Sequence, residues 1–299
     1  MYSIIIIGNG SMAAGCLRLI NSMDDINVCL CIIDESDSGQ DTWRQSFLKS
    51  ARELNKNIII TKFPHSKHVL EKIDELKPKP DLLLSLQCTK IIRESIINKF
   101  RLGCVNCHNA PLPLLRGCDP FAWAIHDGLK QMGVTLHKVP TSGIDDGPII
   151  AQKRWSIEND TTAWDLYNKG LTICENLLQE NLLNILNETI KIIPQDERYV
   201  TYHPANGFPY QPLTIDWSQP AATISSLARA RIFPPLQVPT LNNGNIKINR
   251  IESIPETTKE KPGTVLSLCP FKIAAKWGTL LISELKGDIT SLRVGDIVY

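Results

Sequence analysis

Short apolar runs alternate with longer segments of helical spacing along the first part of the chain. The first run holds four isoleucines and stops at the turn Gly8-Asn9-Gly10, which is typical of a buried strand that ends in a tight turn. The pattern predicts strands over residues 3–7, 28–33, 58–61, 81–86 and 103–106, and helices over residues 12–20, 41–54 and 66–76. Asp41 is the expected N-cap of the second helix. This alternation predicts an α/β fold with a Rossmann-like, doubly wound, mostly parallel sheet.

The pattern changes in the last third of the chain. A long helix is predicted over residues 161–187, and residues 194–212 have the Pro-rich, polar composition of a linker. A helix over residues 221–232 then precedes short strands over residues 245–251, 263–268, 271–275, 279–285 and 295–298. Such a series favours a small β-barrel of the oligonucleotide-binding (OB-like) type. We therefore predict a large domain over 1–193 that carries the chemistry, a linker over 194–212 and a C-terminal domain over 213–299.

Composition excludes several classes of protein. With 32 basic and 31 acidic residues, the chain has no overall attraction to nucleic acid or to an anionic membrane. Its nine cysteines are odd in number and lack the spacing of a disulfide framework, so we expect reduced thiols. No basic region precedes the first apolar run, as it would in a signal peptide, and no apolar stretch approaches the ~18 residues that cross a bilayer. We expect a cytoplasmic protein that binds no membrane.

Two motifs partly match cofactor-binding patterns but lack residues or a context that those cofactors require. The Gly8-x-Gly10 turn lacks the third glycine of a dinucleotide fingerprint, because position 13 is Ala, so a tight turn is favoured over a nicotinamide site. The stretch Cys104 to His108, CVNCH, matches the pattern of covalent haem attachment, which requires export from the cytoplasm. A zinc site would need a second ligand pair, and none follows at the usual spacing. We therefore expect neither haem nor metal.

The same stretch begins a constellation with a different chemistry. Asn106 and His108 lie two residues apart at a predicted strand end, so both side chains can face the same side of the sheet. A later loop bears Asp145 and Asp146. An amide donates to an oxyanion, an imidazole takes a proton from an attacking amine, and a carboxylate orients the imidazole. The three groups together favour acyl transfer.

The segment from Cys104 to Gln152 resembles the signature of the formyltransferases that use N10-formyltetrahydrofolate. Its elements occur in the family's order as N-x-H at residues 106–108, L-P-x-x-R-G at 112–117, G-V-T at 133–135 and D-x-G at 145–147. The strand and turn LSLQCTKII, the I-D-W of residues 215–217 and the closing barrel segment are also similar to the family. The resemblance therefore covers essentially the whole chain.

The resemblance implies a role for each site residue. Asn106 would bind the developing formyl oxyanion, His108 would be the general base or proton shuttle, and Asp145 would be the buried orienting acid. The D-x-G register selects Asp145 over Asp146. The donor N10-formyltetrahydrofolate would lie against one strand end and one loop; the residues implied are Leu86, Gln87, Cys88, Thr89, Leu114, Arg116 and Gly117. Many relatives carry Ser where this chain has Asn109-Ala110-Pro111, so a serine contact is not carried over.

The other histidines and the tryptophans are read as structural. A single His beside a strand end is more often a satisfied polar residue than a catalyst, and this reading applies to His65, His68, His126 and His137. Trp123 lies in a further predicted helix, between the turn PLPLLRG and a predicted strand through residues 134–136, and is expected to be a core contact.

The motifs leave the acceptor open, because family members formylate different amines with the same three residues. A nucleotide-linked amino sugar is favoured, since the loop PLPLLRG and the segment Asp41 to Arg44 resemble the sugar-modifying branch. The alternative is the initiator methionyl-tRNA, but residues 34–43, DESDSGQDTW, hold four acidic residues and no basic ones where the tRNA enzymes carry a basic insertion. An amino-acid or peptide amine and a folate-binding or nucleotide-binding protein without turnover also stay open. Sugar enzymes of the family often pair through their C-terminal parts, which implies a homodimer.

Overall fold

The structure is a computed structural model that describes residues 1–140 and 143–299. The chain divides into two compact units, each assembled from several segments. The first unit contains residues 1–117, 133–154 and 169–202, and the second contains residues 118–132, 155–168 and 203–299. The domain limits drawn from the sequence stay a prediction.

One mixed sheet carries the first half of the chain. The strands of this half are β1 Tyr2–Gly8, β2 Ile26–Asp34, β3 Ile58–Thr61, β4 Leu82–Leu86, β5 Cys104–His108, β6 Arg116–Gly117, β7 Gln131–Lys138 and β8 Ile149–Ser156. Seven of them form a sheet in the order β3-β2-β1-β4-β5-β7-β8. Strands β1 to β5 run parallel to one another, whereas β7 runs antiparallel to β5.

The central strand shows why the apolar run predicted the sheet so directly. Ile4, Ile5, Ile6 and Ile7 are each at most 3% exposed. Strand β1 pairs with β2 on one side and with β4 on the other. A central parallel strand is covered on both faces, so its sequence is continuously apolar instead of alternating.

The helices follow the predicted order with one addition. They are α1 Gly10–Asn21, α2 Phe47–Glu53, α3 Lys67–Glu75, α4 Glu94–Ile97, α5 Pro120–His126, α6 Ala163–Leu186 and α7 Ala221–Arg231, with a 3₁₀ turn at Glu197–Tyr199. The sequence did not predict α4, because four residues are too few to show a helical period. Among the described residues, none of the helices combines the length and apolar composition that crossing a bilayer requires.

The predicted start of the second helix was wrong. Helix α2 begins at Phe47, with Ser46 as its N-cap, and not after Asp41. The buried carboxylate of Asp37 accepts the Phe47 N–H at 2.8 Å and so satisfies one of the free donors at the helix start. Asp41 instead accepts the Ser46 N–H at 2.8 Å and pairs with Lys49. The helix start is therefore satisfied by the cap Ser46 and by Asp37, not by the acid predicted from the sequence.

The closing part of the chain forms a second, antiparallel sheet. Its strands are β10 Thr240–Leu241, β11 Ile246–Ile254, β12 Val265–Leu268, β13 Phe271–Ala274 and β14 Thr279–Lys286, in the order β10-β11-β14-β13-β12; the preceding strand β9 is Tyr202–His203. The sheet is curled as half of a barrel. Its core includes Trp217, Ile224 of α7, and Ile248 and Leu280 of the sheet. The predicted fold class, a doubly wound sheet followed by a small β-domain, is confirmed.

One predicted strand of this sheet was wrong. Residues 295–298 form an isolated bridge, Ile297 with Thr264, instead of a strand. Gly295 has a φ of +97° and its N–H donates to the Val265 carbonyl, so the chain turns there before it can extend.

Candidate active site

Strand β5 presents two polar side chains from one face. Asn106 and His108 are two positions apart on the strand and therefore point the same way. In the antiparallel pairing with β7, Asn106 lies opposite His137 and His108 lies opposite Thr135. His108 is only 8% exposed, so any charge it carries is largely withdrawn from water.

The third predicted residue, Asp145, stands in the loop before β8 with a φ of +53°. Asp tolerates this left-handed conformation better than most residues. Two positions later, a Cβ on Gly147 would lie 1.8 Å from the Lys138 carbonyl oxygen, so the loop approaches the end of β7 too closely for any side chain there. The Lys138 N–H also donates to the Pro148 carbonyl at 3.0 Å. This close approach is the physical reason for glycine in the D-x-G motif.

The loop brings the Asp145 carboxylate to both side chains of β5. Its Oδ2 lies 3.6 Å from His108 Nδ1 and accepts the Gly117 N–H at 3.0 Å. Its Oδ1 lies 3.5 Å from Asn106 Nδ2, which is long for a hydrogen bond. The amide, the imidazole and the carboxylate predicted from sequence thus form one cluster within the first unit.

The hydrogen bonds of His108 fix its tautomer. Its Nε2 lies 2.9 Å from the backbone carbonyl of Leu115, which can only accept, so Nε2 carries the proton. In the neutral ring Nδ1 then holds the lone pair, and this lone pair faces Asp145. A proton that binds Nδ1 therefore converts the ring to an imidazolium, whose new N–H faces the carboxylate of Asp145.

A fourth residue belongs to the cluster and was not singled out from the sequence. His137 is 1% exposed, and its Nδ1 donates to the Lys138 carbonyl at 2.9 Å. Its Nε2 is then an acceptor, so the Asn106 amide donates one hydrogen to it at 3.1 Å. His137 is a satisfied polar residue, as expected, but its partner is a site residue. Only the register of β5 against β7 reveals this contact.

The environment of the cluster shifts two pKa values in a useful direction. Burial lowers the pKa of His108 more than the nearby carboxylate of Asp145 raises it, so the ring is neutral at pH 7. Burial alone would raise the pKa of Asp145, but its pKa lies below the ordinary value, and in the tautomers assigned above the Gly117 N–H, which donates to Oδ2, is the partner that favours the ionised form. A neutral base beside an ionised carboxylate is the state that removing a proton from an amine requires.

The predicted donor-binding residues lie in a cleft, in the buried core of the sheet, or in the segments that follow strands β4 and β5. Cys88 and Thr89 line a shallow cleft at the carboxyl ends of β1 and β2. The Leu86 side chain is fully buried. Three others are placed by strand ends and loops: Gln87 follows β4, Leu114 is half-buried in the loop after β5, and the Gly117 N–H donates to Asp145.

Arg116, another residue of the predicted donor-binding set, is 7% exposed, and its guanidinium donates to Gln195 and Glu197 of the same unit. Its contact with the donor stays a prediction. Asp146, the carboxylate that the motif register rejected, packs against Gly143, where a Cβ would lie 1.9 Å from its Oδ2. Neither residue makes a described hydrogen bond to His108 or Asn106 within residues 1–140 and 143–299.

Family comparisons agree with this site and fold. The family described as "Formyl transferase" matches residues 3–182, and the family "Formyl transferase, C-terminal domain" matches residues 210–291. The chain therefore belongs to the formyltransferase family and is an enzyme of formyl transfer. The resemblance drawn from the motifs is confirmed.

Individual relatives fall into two groups. The bifunctional polymyxin resistance protein ArnA of Wigglesworthia glossinidia brevipalpis is 34% identical over 243 residues, which cover 79% of this chain and 36% of that protein's length. The methionyl-tRNA formyltransferase of Bacillus velezensis is 30% identical over 227 residues, 75% of this chain and 71% of that protein.

Two crystal structures resemble the chain along nearly its whole length. The sugar 3N-formyl transferase WlaRD, in the presence of dTDP and 5-N-formyl-THF, is 26% identical, covers 98% of this chain and 99% of its own, and superposes with a TM-score of 0.76. The N-formyltransferase from Helicobacter canadensis, in complex with folinic acid and dTDP-3-aminofucose, is 25% identical, covers 94% and 99%, and has a TM-score of 0.75.

Proposed function

We propose that this enzyme moves the formyl group of N10-formyltetrahydrofolate to the primary amine of a nucleotide-linked amino sugar. The observation that carries the chemistry is the cluster of Asn106, His108 and Asp145, in which a neutral imidazole lies 3.6 Å from an ionised carboxylate. A protein that only bound folate would have no need of an oxyanion donor beside a base.

The transfer follows from the positions of the side chains. The neutral amine nitrogen attacks the formyl carbon, and the carbonyl electrons move onto oxygen. Asn106 donates its second N–H to that oxyanion, because its weak 3.5 Å contact with Asp145 is easily exchanged for a stronger one. The amine proton passes to His108 Nδ1, where Asp145 stabilises the imidazolium. The bond from the formyl carbon to N10 then breaks, N10 takes the proton, and tetrahydrofolate leaves.

The donor site is proposed at the carboxyl ends of the parallel strands β1, β2, β4 and β5, the same edge of the sheet at which β5 ends in His108. Ligands of open α/β sheets bind outside these ends, and the cleft lined by Cys88 and Thr89 lies there. Leu114 and the backbone of Gly117 border the cluster from the loop after β5, whereas Leu86 can contribute backbone groups only, since its side chain is buried.

Support for a sugar acceptor comes from the two crystal structures that match the chain along nearly its full length. One is named as a sugar 3N-formyl transferase, and the other holds dTDP-3-aminofucose. The acceptor proposed here is therefore an amine on a nucleotide-linked sugar, with a dTDP sugar as the first to try.

Methionyl-tRNA is the second candidate, favoured by the match to the enzyme of Bacillus velezensis. Its electrostatic support is weak on this chain. Of the four acids in residues 34–43, Asp37 is buried against the start of α2. The other three pair with lysines, as Asp34 with Lys90, Glu35 with Lys62 and Asp41 with Lys49. These pairs leave the stretch without the excess positive charge that binds phosphates.

A turnover assay with N10-formyltetrahydrofolate tests the proposal. Tetrahydrofolate release is followed with dTDP-, UDP- and GDP-linked amino sugars, with methionyl-tRNA and with free amino acids and peptides. We expect turnover on one sugar nucleotide, abolished in His108→Asn. Turnover only on methionyl-tRNA, or only on an amino acid or peptide, would transfer the proposal to that acceptor. Folate binding without turnover on any acceptor would leave a binding protein. The expected homodimer is measured separately by sedimentation.

A further inference from the structure

Residues 195–201 follow α6 and belong to the segment that the sequence predicted to be a linker. They make hydrogen bonds to the two loops that border the cluster. Gln195 donates through Nε2 to the carbonyls of Asp145 and Gly147, both at 2.7 Å. The two acceptors flank the sharp turn at which Asp145 adopts its φ of +53°. One side chain therefore ties together the two ends of the turn that aims the carboxylate.

Gln195 is itself held by a buried cation. Its Oε1 accepts from Arg116 Nε at 3.0 Å and from Nη2 at 2.9 Å. Arg116 also pairs with Glu197 at 2.7 Å. Because a guanidinium only donates, it fixes which end of the Gln195 amide is oxygen, and the NH2 must then face the loop. The arginine that the motif placed at the ligand thus orients the amide behind Asp145.

The same segment also holds the carbonyl that orients His108. Thr201 Oγ1 accepts the Leu115 N–H at 2.8 Å, and the Thr201 carbonyl accepts the Arg116 N–H at 2.9 Å. Leu115 has a φ of +61°, and its carbonyl is the acceptor for His108 Nε2. Residues 195–201 therefore contact both loops that border the cluster.

We infer that Gln195 is a positioning residue of this enzyme, which acts through Asp145 to hold its carboxylate against His108. The inference rests on the role proposed for Asp145. Without the two hydrogen bonds from Gln195, the backbones of Asp145 and Gly147 are no longer joined through its side chain, and the carboxylate moves away from His108 Nδ1. Displacement of a catalytic group by about 1 Å is sufficient to cost roughly 100-fold in rate.

Kinetics on double variants distinguish this role from a structural one. We expect Gln195→Met to lower kcat by roughly 10- to 100-fold, with KM for the donor changed less than about threefold. Gln195→Glu should lower kcat as well, because it retains the pairing with Arg116 but presents a carboxylate to two carbonyls. In the Asp145→Asn background, Gln195→Met should have little further effect. An equal fall in that background, or full activity of both single variants, would overturn the inference.

A second measurement does not depend on the acceptor. The titratable groups that face the His108 ring are Asp145 and His137. An NMR titration of His108 should give a lower midpoint in Asp145→Asn than in the wild type, and Gln195→Met should shift it in the same direction by a smaller amount. A shift in the first variant without one in the second contradicts the inference, even if no acceptor tested supports turnover. Gln179→Met, an exposed glutamine of α6 in the same unit, is the matched control, and circular dichroism checks the fold.

Discussion

Removal of the charge on Asp145 is the most direct test of the proposed chemistry. In Asp145→Asn the side chain keeps its size, and its remaining oxygen can still accept the Gly117 N–H that now binds Oδ2 at 3.0 Å. The loop is also held by Gln195 through backbone carbonyls, which the substitution does not alter. The change therefore removes the stabilisation of the imidazolium at His108 with little disturbance of the fold.

The structure allows the magnitude to be worked out. Asp145 Oδ2 lies 3.6 Å from His108 Nδ1, and the two side chains are only 15% and 10% exposed. At an effective dielectric constant of about 20, the attraction between full charges at this distance is about 4.6 kcal/mol. With half of the proton transferred in the transition state it is about 2.3 kcal/mol. At about 1.4 kcal/mol for each tenfold change, we expect kcat to fall by roughly 50- to 2000-fold.

The assay is steady-state release of tetrahydrofolate, and Asp146→Asn is the adjacent control. Binding of 5-formyltetrahydrofolate to both variants should stay within about threefold of the wild type, since general acid-base groups act on the rate. Full activity of Asp145→Asn together with loss of activity in Asp146→Asn would refute the reasoning, because the register of the D-x-G loop would then be wrong.

The pH dependence gives a second reading of the same variant. As the proposed base, His108 must be neutral to accept a proton. Burial lowers its pKa, so the wild type should lose activity only as the pH falls through this depressed pKa. Asp145 raises the pKa of His108, and its loss lowers it further. The acidic limb of kcat should therefore move to lower pH in Asp145→Asn, even though the maximal rate falls. An acidic limb that stays in place would mean that Asp145 does not act on His108, and a shift to higher pH would also contradict the reasoning.

Three further changes have outcomes that follow from single contacts. Asn106→Ala removes the oxyanion donor, so kcat should fall by roughly 10²- to 10³-fold at nearly constant donor affinity, measured by turnover and by titration with 5-formyltetrahydrofolate. His137→Phe keeps a buried ring but removes the acceptor of Asn106; we expect about a tenfold fall in kcat that disappears in the Asn106→Ala background, as a double-mutant cycle would show. Asp37→Ala leaves the N–H groups at the start of α2 unpaired in a buried position, which should lower the free energy of unfolding in urea by about 2 kcal/mol, whereas the exposed Asp41→Ala should change it little.

The features that the sequence predicted are those set by neighbours in the chain. The four isoleucines of β1 predict a doubly covered strand because no alternation is present. Asn106 and His108 are two residues apart, so strand geometry alone places them on one face. Asp145 is 37 to 39 residues from them, and its membership of the cluster came from the motif resemblance, not from periodicity. The start of α2 failed for the opposite reason, since Asp37, ten residues before Phe47, reached the helix N-terminus that Asp41 was expected to cap.

Contacts that span greater distances explain what the sequence left out. Asn106 meets His137 across 31 residues because β7 runs antiparallel to β5, and the expectation of a mostly parallel sheet did not say which strand is reversed. Arg116 meets Gln195 across 79 residues, and Gln195 meets Asp145 across 50. No local pattern encodes such pairs. The composition of residues 194–212 therefore predicted a linker, although Gln195 within it contacts the loop of Asp145. The described partners of the Arg116 guanidinium are Gln195 and Glu197, so we expect part of its effect on catalysis to pass through Gln195 to Asp145, in addition to any contact with the donor.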